Sequence, residues 1–150
     1  MQIRTYLAPL GAIGALLQAG PAAALGLGDL TMQSFLNEPL RAELVLFDTR
    51  ELGPDEIIVR LARPEDFERL GVERSYFLTG LEFDIQLDDD SGRGVVKLST
   101  PRPVLEPFLD IVIEARWPSG RVLREYTVLV DPPAFRDETV TTVSGSDASA

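Results

Sequence analysis

From Leu40 to Phe47 the chain reads LRAELVLF, which puts Leu40, Ala42, Leu44 and Leu46 on one side and Arg41, Glu43, Val45 and Phe47 on the other. A period of two belongs to a strand with one face against a core, because successive Cβ atoms of a strand point to opposite faces. The same period returns in YFLTGLEFDIQL (Tyr76 to Leu87), with Leu81, Phe83, Ile85 and Leu87 facing away from Glu82, Asp84 and Gln86. IIVRLA (Ile57 to Ala62), VVKLS (Val95 to Ser99) and FLDIVIEARW (Phe108 to Trp117) supply further strands, and DDDSGRG (Asp88 to Gly94) a hairpin loop. Turn signals at strand-plus-turn spacing predict an all-β sandwich resembling the immunoglobulin-like one.

One short helix interrupts the strands. In RPEDFERLG, Pro64 cannot continue a helix from Arg63 but suits a first helical turn. Glu65 and Asp66 favour the N-terminus, and Gly71 sits just past the end. TPRPVLEP (Thr100 to Pro107) carries three prolines and is expected as an extended edge or crossover segment.

The two ends of the chain differ from this middle. MQIRTYLAPLGAIGALLQAGPAAA has Arg4 before an apolar run from Leu7 to Gly20, then Ala22-Ala23-Ala24, the pattern of a secretory signal peptide cleaved between Ala24 and Leu25. The run is broken by Pro9, Gly11 and Gly14 and is too short to cross a bilayer. The expected organisation is a leader over 1–24, a β domain over 25–133, and a Ser/Thr-rich linker or tail over 134–150.

Composition narrows the function. With no histidine and no cysteine, Ser-His-Asp and Cys-His catalysis and the usual zinc sites are excluded. The acids of the strands and loops read as solvated surface, so no enzyme and no cofactor are expected. Loss of Arg4 with the leader takes the net charge from −10 to −11, which disfavours nucleic acid as a partner. DDDSGRG lacks the ligand spacing of a calcium loop, and LGLGDL (Leu25 to Leu30) lacks the context of a phosphate loop.

WPSGRVLREYTVLVDPP (Trp117 to Pro133) is expected as a hairpin arm stopped by two prolines. A three-residue loop with Gly120 left-handed pairs Trp117 with Arg121 and Glu114 with Arg124, whereas a Ser119-Gly120 loop sets Glu114 against Glu125. The first is preferred, with Arg121 over the Trp117 ring and Pro118 opening the loop. It leaves Glu125 on an apolar face without explanation. Pro107, Phe108, Glu125 and Tyr126 are the candidate contact residues for a partner.

LGLGDLTMQSFLNEPLRAELVLF, IIVRLARPEDFERLGVER, YFLTGLEF and PVLEPFLDIVIEARWPSGRVLREYTVLVDPP together resemble the N-terminal periplasmic domain of FimV-type proteins. These are polar hub and type IV pilus assembly factors of Gram-negative bacteria. The resemblance runs from Leu25 to Pro133, with Val122 where the pattern often has leucine. It implies a non-enzymatic periplasmic module that meets envelope proteins of pilus or secretion machinery, and peptidoglycan only indirectly. LysM, transmembrane and cytoplasmic segments usual in the family have no counterpart in the chain, so their roles are not carried over. The alternative is a binding domain for glycan or for an extended peptide, as in pilus-chaperone-like sandwiches.

Overall fold

The computed structural model describes residues 24–133. The expected tail (134–150) and all of the expected leader except Ala24 lie outside the described residues. Among the described residues there are seven strands: β1 (Gly26–Met32), β2 (Pro39–Phe47), β3 (Ile58–Leu61), β4 (Glu82–Asp88), β5 (Arg93–Pro103), β6 (Phe108–Trp117) and β7 (Gly120–Leu129). They form two antiparallel sheets, ordered β1-β2-β5-β4 and β3-β6-β7. The core lies between them.

Leu40, Ala42, Leu44 and Leu46 of β2 are all buried, as are Val96 and Leu98 of β5. Leu109, Ile111, Ile113 and Ala115 of β6 with Tyr126 and Val128 of β7 close the core from the other sheet. The expected period-two faces therefore become the inner faces of a sandwich.

Helix α1 (Pro64–Leu70) begins at Pro64 and is closed by Gly71, whose φ of 72° is left-handed and whose N–H donates to the carbonyls of Glu68 and Phe67. Seven residues are too few for a helix to be stable alone. Phe67 is 1% exposed and anchors it.

Three boundaries differ from the expectation. β1 was not foreseen. Its register against β2 shifts between Leu27 and Leu30, so no alternation survives there to be read. Tyr76–Gly80 forms a 3-10 turn before β4 begins at Glu82. β5 also runs on through Thr100 to Pro103, into the segment expected as a crossover. Beyond Ser99 it pairs only with β2, so its prolines occupy an edge position where a missing N–H costs no ladder bond. The Thr100 hydroxyl accepts from the Leu40 N–H at 3.1 Å and donates to the Arg102 carbonyl at 2.8 Å, where the ladder shifts between Pro39 and Arg41.

Gly28 is required for close approach. A Cβ there would lie 2.5 Å from Phe47 Cε2 and 3.0 Å from the Val45 carbonyl oxygen. Gly28→Val is predicted to lower unfolding free energy by about 1–3 kcal/mol, measurable by urea denaturation. An unchanged midpoint would show that β1 can lift from β2 without penalty.

Candidate interaction surface

The β6–β7 hairpin turns through Pro118-Ser119, with Trp117 paired to Gly120 and Arg116 to Arg121. This corrects the expected register: Glu114 faces Leu123, and Arg124 faces Ile113. Glu114 and Arg124 are not directly opposite, and neither are Glu114 and Glu125. Pro118 holds φ near −65°, and neither Ser119 nor Gly120 has a positive φ, so Gly120 is not in the expected left-handed position and the loop is none of the turn types that need a positive φ. Gly120 is small because the Trp117 ring covers it; an added Cβ would sit 2.7 Å from Trp117 Cζ2.

Third elements override pairing between the two hairpin strands. Arg116 and Arg121 are like charges directly opposite, an unfavourable pair by itself. Glu114, fully buried on the same face, accepts from Arg60 of β3 at 3.1 Å and lies 3.6 Å from both Arg116 and Arg121. Arg121 donates to Asp66 of α1 at 2.8 Å, and Arg69 reaches the other Asp66 oxygen at 3.3 Å. Two buried carboxylates thus tie β3, β6, β7 and α1 together. Arg121 is held by both of these acids.

Arg124 and Tyr126 occupy the inner side of β7. Arg124 Nη1 donates to the carbonyls of Leu27 and Gly28, and the Tyr126 hydroxyl donates to the Gly28 carbonyl at 2.8 Å. The bulge in β1 turns those carbonyls away from the ladder, and β7 satisfies them. Tyr126, 8% exposed, is a structural clamp and offers little surface to a partner. Burial pushes its phenol up to about 12 from 10.0, while Arg124 pulls the other way. A raised pKa means the folded state holds the proton more tightly. That contribution to stability is whole below pH 10 and is lost as pH rises toward 12. Tyr126→Phe is predicted to flatten the fall in unfolding free energy across this alkaline window. An identical slope in the variant would assign the fall to other groups.

Around Phe108 the surface is apolar. Phe108 is 63% exposed and pairs with Leu129, 57% exposed. Tyr76 and Leu105 stand out further, at 78% and 73%. Tyr76 and Leu105 border a groove of about 310 Å³ walled by Phe77, Pro103, Val104 and Leu109, with Arg102 and Glu106 as its charged rim. Tyr76 and Phe108 share the adjoining depression, and the Arg102 guanidinium lies 5.5 Å from the Tyr76 ring centroid. Large exposed apolar residues gathered in one place mark a contact surface. Of the candidate contact residues, Pro107 and Phe108 fall here. Glu125 is exposed on β7 opposite Val112, so the apolar-face conflict does not arise. Tyr76, Leu105 and Leu129 were not singled out in the sequence.

At the other candidate positions, Ala24 is exposed and Leu25 is buried at the start of the core. Asp88 accepts from the Asp90 N–H at 3.2 Å in the β4–β5 turn. A hydrogen bond from Ser91 is the main cause holding its carboxyl below the usual value. Among the described residues no group of three or more His, Cys, Asp or Glu is arranged to hold a metal ion, and no helix is long and apolar enough to cross a membrane.

Two facing antiparallel sheets around a shared core define an immunoglobulin-like β-sandwich. The chain belongs to the FimV N-terminal domain family, described as an Ig-like domain, which matches residues 25–133. It is 40% identical over 150 residues to motility hub protein FimV from two strains of Pseudomonas aeruginosa. All of the chain is covered in those matches but only 16% of each relative. No solved structure matches the chain.

Proposed function

We propose that this domain is a non-enzymatic scaffold module of the Gram-negative periplasm that helps to place pilus or secretion machinery in the envelope. The observation that carries this reading is the apolar surface of Tyr76, Leu105, Phe108 and Leu129 beside the proline-rich crossover. Similarity to a motility hub protein supplies the process in which that surface would be used.

Export is part of the proposal. Cleavage between Ala24 and Leu25 would leave the buried Leu25 as the first residue of the folded domain. The N-terminal mass of periplasmic protein is expected to begin at Leu25; retention of Met1 on membrane-bound protein would contradict it.

The functional test is a Leu105→Asp/Phe108→Asp double variant in cells that depend on this protein for twitching motility. Both side chains are mostly exposed, so the fold should survive, as thermal unfolding of the purified variant would verify. Motility is expected to fall to the level of the deletion. Wild-type motility with a normally accumulated variant would remove this surface from the function.

A further inference from the structure

We propose that the domain pairs with a second copy of itself through the free edge of β7, joining two three-stranded sheets across a two-fold axis. The four edge strands among the described residues differ in how they are protected. β3 is four residues long, and β1 is interrupted by its register shift. β4 carries Glu82, Asp84 and Asp88, all exposed, and would repel another β4. Short length, bulges and like charge are the devices that keep sheet edges from pairing. β7 has none of them: it is ten residues long, keeps one unbroken register against β6, and carries charges of both signs.

The register against β6 fixes which β7 amides lack a ladder partner among the described residues. Val130 N–H donates to the Pro107 carbonyl at 2.8 Å, and bonded pairs recur at every second residue of an antiparallel ladder. Residues 128, 126, 124 and 122 therefore bond toward β6. Arg121, Leu123, Glu125, Thr127 and Leu129 direct their N–H and carbonyl groups to the open edge.

Self-pairing along this edge has a preferred register. Centring the axis on Glu125 or on Arg121 sets like charges against each other, which is destabilising. Centring it on Leu123 sets Arg121 against Glu125 of the second copy and Glu125 against its Arg121, with the half-buried Leu123 facing its own mate. Such an isologous contact makes every favourable pair twice. Arg121 is held in place for it by Asp66 and Glu114. This contact is separate from the apolar groove.

Sedimentation equilibrium of residues 25–150 tests it. The expected result is a concentration-dependent mass approaching about twice that of one chain. Glu125→Pro removes one outward N–H and leaves the β6 ladder intact, and should give the single-chain mass throughout. Glu125→Arg, a change at an exposed side chain, should weaken association about tenfold or more. Asp84→Arg on β4 should leave association unchanged. A wild-type mass of one chain at all concentrations, or a dimer insensitive to Glu125→Arg, would overturn the proposal. So would a dimer weakened by Asp84→Arg in its place.

Discussion

Replacing Glu114 with alanine should lower the free energy of unfolding by about 3–5 kcal/mol, because removal of one partner from a buried ion pair leaves the other charge uncompensated. Glu114 has no exposed surface and stands among Arg60, Arg116 and Arg121. The arginine side chains are 42%, 48% and 38% exposed, so their heads can turn partly to water, which favours the lower end of the range. Arg60 Nε cannot do so, being buried without a hydrogen-bond partner. Urea denaturation measures the loss, and Glu114→Gln, which keeps shape and one acceptor, should fall between alanine and wild type. A loss below about 1 kcal/mol would place Glu114 with ordinary surface pairs.

Phe67→Ala should cost a similar amount, about 3–5 kcal/mol. Phe67 is the buried aromatic of a helix too short to persist by its own hydrogen bonds. The Arg74 guanidinium lies 6.0 Å from its ring centroid, so truncation also removes a weak cation–π contact. Amide exchange should show residues 64–70 losing protection ahead of β2 and β6. Uniform loss across the domain would mean that the helix is not a separable unit.

The parts legible in the sequence were those decided by neighbours along the chain. Alternation in Leu40 to Phe47 gave β2 and its inward face, and Pro64 and Gly71 bounded the helix through their backbone constraints alone. β1 escaped because Gly26 and Gly28 have no side chains to alternate and the bulge breaks the period. The hairpin register escaped because its charges are settled by Asp66 and Arg60, which lie far away in sequence. At the candidate surface, Pro107 and Phe108 stood out as a proline beside an aromatic. Leu129 had a usable signal, since it continues the side of β7 that carries Glu125 and Thr127, where a polar residue is expected. Tyr76 and Leu105 carry no local mark; the 3-10 turn and the crossover bring them together.

The apolar surface around Phe108 is the central claim, and site-specific photo-crosslinking in intact cells addresses it most directly. A photoreactive residue at position 108, compared with one at position 84 on the acidic β4 edge, reports which side of the domain meets its partner. Position 108 is expected to yield adducts with periplasmic portions of pilus or secretion components, and position 84 to yield few. Adducts confined to peptidoglycan fragments, or equal yields of the same proteins from both positions, would contradict it.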